Sequence, residues 1–230
     1  MTGAALAVVG GFLDAYTYVA HGGVFANAQT GNVVLVAMDV AQGRWAQTTA
    51  YLPVIGAFLL GLVAAETLAA HRPVLRDPTR VVLLVEIAVL VAVAGLSPAT
   101  PQLVTTTAVA FVAALQVSTF RLVRETSYST TMTTGNLRSL VTATFEWLSG
   151  YDRTQRVVAL RLALIVLAFA TGAALGAVAS APDALGTRSV LLAAGVLAGV
   201  LVAIETHTRR TGPGDEAAPG RVAVPVGADD

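Results

Sequence analysis

Residues 27–32 read NAQTGN and residues 131–136 read TMTTGN. The same step, Thr30-Gly31-Asn32 and Thr134-Gly135-Asn136, thus stands twice in a chain of 230 residues, about half a chain length apart. Each copy sets a poor helix former between two polar residues, in a chain dominated by apolar runs. The surrounding composition makes this notable, because 55% of the residues are hydrophobic and only 12% are charged, with a mean hydropathy of +0.72. Soluble domains carry about 25% charged residues, so the chain reads as an all-α integral membrane protein whose first partner is the lipid bilayer.

A hydrocarbon core about 30 Å thick takes about 20 mostly apolar residues per helix, with a lower limit near 17. Six segments meet that requirement: residues 4–20, 51–70, 80–96, 103–120, 157–178 and 188–205. Turn chemistry separates them at HRPVLRDP (71–78), SPATP (97–101) and APDALG (181–186). The stretches after the two steps, residues 31–41 and 135–148, are too short to cross comfortably and are expected to be re-entrant or interfacial half-helices. Residues 1–206 form one polytopic membrane domain in this reading, and 207–230, rich in Gly, Pro and charge, form a disordered cytoplasmic tail. The N-terminal run lacks a basic flank and carries Asp14, so it is expected to be the first membrane helix and not a cleaved signal.

All the basic residues are Arg, and they are unevenly placed. Arg72, Arg76 and Arg80 lie between or beside spans 2 and 3; Arg121, Arg124, Arg138, Arg153 and Arg156 between spans 4 and 5; Arg209, Arg210 and Arg221 after span 6. The opposite face has Arg44 and Arg188. Cytoplasmic loops collect positive charge, so both termini are expected in the cytoplasm. Counting the segments after Thr-Gly-Asn as full spans would scatter these Arg residues over both faces.

Sliding the chain on itself so that Gly31 meets Gly135 brings Asp14 opposite Ser118 and Tyr16 opposite Phe120. Halves of about 4–97 and 103–206 would each hold three spans, and an odd number forces the second half upside down. Such inverted repeats recur in secondary transporters, whose sites lie near the midplane at interrupted helices. On that pattern Gly31 and Gly135 break the helix, Thr30 and Thr134 cap the half-helices, and Asn32 and Asn136 offer amides to a ligand or to freed backbone.

GFLDAYTY, FANAQTGNVV, LQVSTFR and TTGNL together resemble the YoaK-type family of bacterial membrane proteins, a domain of unknown function. The resemblance runs from residue 6 to about 206. It implies a multi-pass inner-membrane protein and leaves substrate and reaction open.

Asp14 stands ten residues into the first span, about 15 Å along its axis. A carboxylate at mid-bilayer costs at least about 2.5 to 3.5 kcal/mol on insertion scales, which calls for a partner or a wet cavity. Glu66 and Glu86 are expected to reach the interface and meet Arg72, Arg76 or Arg80. Arg138 either pairs with Asp14 or rides on a helix lying flat at the surface, with Leu137, Leu140, Val141, Phe145 and Leu148 on its apolar face. Gly172 with Gly176, and Gly195 with Gly199, read as close-packing steps within the chain or between subunits of a homo-oligomer.

The sequence has no Cys and three scattered His, so thiolate and histidine metal sites lose their support. It also lacks a phosphate-binding loop, a nucleophile elbow, a zinc-protease helix and a basic aromatic surface, which argues against an enzyme, a cofactor or nucleic-acid binding. A small secondary transporter or channel for a small polar solute is expected, with a non-transporting scaffold or regulatory subunit as the alternative. Asp14 favours a cation or proton, half-helix N-termini favour an anion, and a zwitterion would satisfy both.

Overall fold

The computed structural model describes residues 2–70, 77–97, 99–120 and 133–210. The Arg residues expected to orient the chain at positions 72, 76, 121, 124 and 221 lie outside this set, as do residues 211–230 of the expected tail. Within it the chain is all-helical: α1 Thr2–Ala20, α2 Gln29–Ala41, α3 Trp45–Ala70, α4 Pro78–Ala94, α5 Gln102–Phe120, α6 Thr133–Leu148, α7 Gln155–Ala179, a 3-10 turn Gly186–Ser189 and α8 Val190–Arg210. The last helix therefore continues through residues 207–210, the start of the segment expected as tail.

Among the described residues five stretches are long and apolar enough to cross a membrane: α1, α3, α5, α7 and Gly186–Arg209, which takes in α8 up to its last residue. The remaining expected span, α4, has 17 residues and is the short one. Asp77 caps it by accepting from the Arg80 amide at 3.2 Å, and Pro78 occupies the first turn, where no donor is needed. α1 ends where Gly22 and Gly23 take φ of +87° and +74°, a left-handed conformation costly for other residues.

α1 and α5 are the most enclosed of these helices. They are joined in the core by Gln116, whose Nε2 donates to the Leu6 carbonyl at 3.2 Å. Leu6, Leu13, Tyr16, Leu83, Leu90, Val109 and Leu197 pack around them with almost no exposure. The packed helix pairs are α1 with α7 and α3 with α5; α2 with α3 and α6 with α7; α1 with α8 and α4 with α5; α4 with α8; and α1 with α5.

Glycine sets the two tightest crossings. A Cβ on Gly11 would collide with the Phe169 carbonyl oxygen, and one on Gly172 would lie 2.7 Å from the Val8 carbonyl carbon. Gly176 likewise faces Phe12, at 2.6 Å from its carbonyl oxygen. Gly172 and Gly176 thus seat α7 on α1 within one chain. At the other crossing, Gly61 of α3 sits against Phe111 and Ala114 of α5. A Cβ at Gly195 or Gly199 would meet open space.

The expectation that Glu66 and Glu86 meet interfacial Arg residues is corrected for Glu86, whereas Arg72 and Arg76, expected near Glu66, lie outside the described residues. Glu66 accepts from Ser118 Oγ at 3.1 Å, and Arg80 pairs with Glu205 at 3.0 Å. Glu86 is fully buried midway along α4, and neither of its oxygens has a hydrogen-bond partner among the described residues. A buried carboxyl group without partners is destabilising relative to a hydrocarbon of similar size. Glu86→Leu is therefore expected to raise stability by about 1 to 3 kcal/mol, measured as the unfolding midpoint in detergent; a loss of stability would mean that Glu86 has a partner.

Candidate functional site

The loop after α1 does not stay at the surface. Asn27 donates its backbone amide to Asp14 Oδ1 at 2.6 Å and its Nδ2 to the Gly10 carbonyl at 3.1 Å, and the Ala28 amide reaches Asp14 Oδ1 at 3.4 Å. Asp14 and Gly10 lie six and ten residues before the end of α1, about 9 and 15 Å along its axis. The chain thus descends beside α1 before α2 begins, which is how a short helix gets its N-terminus into the interior. Asp14, 5% exposed, is the acceptor that makes this descent affordable for the backbone amides.

The first Thr-Gly-Asn step then does something other than expected. α2 starts at Gln29, so Thr30, Gly31 and Asn32 fall inside its first turns, Ala28 occupies the N-cap position, and no side chain caps the helix. Gly31 does not break the helix and Thr30 does not cap it. Asn32 is fully buried and turned back on the loop: its Oδ1 accepts from the Phe25 amide at 3.0 Å, while Nδ2 donates to the Phe25 carbonyl at 2.8 Å and to Gln29 Oε1 at 2.9 Å. Its amide is spent on the chain. Phe25, so fixed, stacks on Tyr18 of α1 with ring centroids 4.8 Å apart.

The second step also lies within a helix, since α6 begins at Thr133. Asn136 is buried like Asn32. Gly135 differs from Gly31, where a Cβ would press on the Phe25 ring at 3.0 Å, because a Cβ at Gly135 would touch nothing. Arg138 is exposed and is not among the residues lining the Asp14 cavity. α6 also leaves Leu137, Val141, Phe145 and Leu148 exposed.

A cavity of about 670 Å³ brings the two steps together. Asp14, Ala15, Tyr18 and Val19 line it from α1; Phe25, Asn27 and Ala28 from the loop; Gln29 and Thr30 from α2; Phe58 from α3; Thr133, Thr134 and Gly135 from α6; and Phe169, Ala173 and Ala177 from α7. Of the expected site residues, Asp14, Thr30, Thr134 and Gly135 therefore share one space, whereas Gly31, Asn32 and Asn136 stand behind its wall. Gly135 also lines a second cavity, of about 520 Å³, together with Arg138, Ser139, Glu146 and Gln155.

Sequence reasoning missed Asn27 and the aromatic rings. A signal for two of them is present: Ala57-Phe58-Leu59-Leu60-Gly61 and Ala168-Phe169-Ala170-Thr171-Gly172 share an Ala-Phe-x-x-Gly pattern on α3 and α7. Its spacing differs from that of the Thr-Gly-Asn pair, so a single rigid shift of the sequence passes over it.

Long apolar helices around a largely enclosed polar group define an all-helical integral membrane protein. The sequence matches the family described as "Protein of unknown function (DUF1275)" over residues 2–203, and the chain belongs to that family. No curated protein and no solved structure matches it.

Proposed function

We propose that the chain is a small secondary transporter or channel for a small polar solute, with the cavity beside Asp14 as its binding site. The observation that carries this reading is that one cavity is lined by the first turns of both Thr-Gly-Asn helices and by a carboxylate from the interior of α1. Interior half-helix termini beside an intramembrane carboxylate are the usual components of a transport site.

An inverted repeat is supported by the packing. Exchanging α1 with α5, α2 with α6, α3 with α7 and α4 with α8 turns every packed helix pair into another packed pair or into itself. The same exchange relates the Phe58–Gly61 and Phe169–Gly172 segments and the two glycine-seated crossings. Thr30 with Thr134, and Phe58 with Phe169, then form related pairs around one cavity, as expected of a site between two repeats. Each repeat has three spans and one re-entrant helix, with α4 crossing at the lower length limit of about 17 residues. The Arg distribution orients both termini toward the cytoplasm of a bacterial inner membrane. The second cavity, meeting the first at Gly135, offers a route onward.

The chain has no cysteine, so single Cys variants at Thr30 and Thr134 can be labelled with a membrane-impermeant thiol reagent in right-side-out and inside-out vesicles. Alternating access predicts that both positions label from either face. A scaffold with a fixed pocket predicts labelling from one face only, and that result would remove the transport reading.

A further inference from the structure

Among the described residues the cavity has one charged side chain, Asp14, and no Arg, Lys or His in its lining. Its walls carry four aromatic rings, Tyr18, Phe25, Phe58 and Phe169, with the first two stacked on each other. Beside Asp14, Asn27 is 9% exposed; its Nδ2 is committed to the Gly10 carbonyl, and its Oδ1 has no hydrogen-bond partner among the described residues. A buried acceptor without a donor is costly and uncommon in folded proteins, and Asn27 borders the cavity, so a ligand bound there is one source of the donor.

These features select by charge. An anion would meet a carboxylate, an unpaired acceptor and the negative faces of aromatic rings, with no cationic side chain among the described lining residues in return. At the N-terminus of α2 the Gln29 and Gly31 amides already donate to the Asn27 and Ala28 carbonyls, and the preceding Asn27 and Ala28 amides serve Asp14, which leaves an anion few free donors there. The carboxylate half of a zwitterion meets the same surroundings. A cation bearing N–H groups supplies the missing donors, and aromatic faces stabilise its charge. The volume of about 670 Å³ suits a small molecule with an apolar body rather than a bare ion.

We propose that the cavity binds an organic ammonium ion, its N–H groups directed at Asp14 and Asn27 and its apolar body held against the aromatic wall. This deepens the transport reading by naming the solute class, and it rests on the same cavity being the binding site.

The test is equilibrium binding of radiolabelled phenethylammonium to the purified full-length chain in lipid nanodiscs. Saturable binding is expected, displaced by unlabelled amine but not by 3-phenylpropionate or phenylalanine. The N,N,N-trimethyl analogue, which has no N–H, should bind roughly tenfold more weakly. Asp14→Asn keeps an acceptor for the loop amides and should weaken binding by roughly tenfold or more. Phe169→Leu keeps apolar volume, removes a ring face and should weaken binding several-fold, providing a second readout if the Asp14 variant does not fold. Absence of saturable binding, tighter binding of 3-phenylpropionate or phenylalanine, or unchanged affinity in a folded Asp14→Asn protein would each overturn the proposal. Binding of the ammonium without flux in proteoliposomes would sustain it while removing transport. Flux of another solute without ammonium binding would do the reverse.

Discussion

Gly172→Ala is expected to lower the unfolding free energy of the purified protein by roughly 3 kcal/mol, the upper end of the usual cost of overpacking, whereas Gly135→Ala should change it by no more than about 1 kcal/mol. Both substitutions add one methyl group to a helix, and Ala is intrinsically the better helix former. The difference lies in what the methyl meets. At Gly172 it falls on the backbone of Val8, with the carbonyl carbon 2.7 Å and the Cα 2.8 Å away, and backbone cannot swing aside as a side chain would. α7 must move off α1, and with it Phe169, Ala173 and Ala177 on the cavity wall. At Gly135 nothing lies within reach. Gly11→Ala strikes the same crossing from the other side, so the double variant should cost less than the two single costs together, because one separation of the helices relieves both. Chemical or thermal unfolding in detergent micelles measures all four proteins, and equal midpoints for Gly172→Ala and Gly135→Ala would contradict the tight α1–α7 crossing.

Asn32→Leu is expected to be the most damaging change within either Thr-Gly-Asn step, costing about 2 to 6 kcal/mol, since the amide and carbonyl of Phe25 are both left without their partner at about 1 to 3 kcal/mol each. Leu has nearly the shape of Asn, so little of the loss would come from packing. Asn32→Asp should also destabilise, because an oxygen would then face the Phe25 carbonyl where Nδ2 now donates at 2.8 Å. Thr30→Val, at an exposed position in the same turn, should stay within about 0.5 kcal/mol of the parent in stability. Amide hydrogen exchange provides an independent measurement. The Phe25 amide should exchange slowly in the parent and quickly in Asn32→Leu, and protection that survives Asn32→Leu would show that another group holds the loop.

These two results would divide the labour of the repeated step. Asn32 holds the loop between α1 and α2, while Thr30 and Thr134, with Gly135, border the cavity. The glycine is the permissive member: it admits the Phe25 ring at position 31 and leaves open room at position 135. Asp14 has both tasks, since it accepts the amides of the descending loop and presents the cavity's charge. An Asp14 variant must therefore be shown to fold before its binding is interpreted.

The sequence alone determined the elements that bilayer physics makes local. Hydrocarbon offers the backbone no hydrogen bonds, so each crossing segment must satisfy its own amides as a helix, and its length and apolarity can be counted directly. That accounts for the long helices, the two short helices that carry the Thr-Gly-Asn steps and the burial of Asp14. Only the tertiary structure decided that Gly11 and Gly172 meet, that Glu86 is enclosed away from the Arg residues, that Asn32 turns back to Phe25, and that Phe58 and Phe169 face one cavity with Asp14. In a soluble helix a polar stripe marks the outward face, but lipid is as apolar as the protein core, so these helices show no such stripe to say which side is buried. Their pairing rests on the fit between small and large side chains brought together from distant parts of the chain, and that fit exists only once the helices have packed.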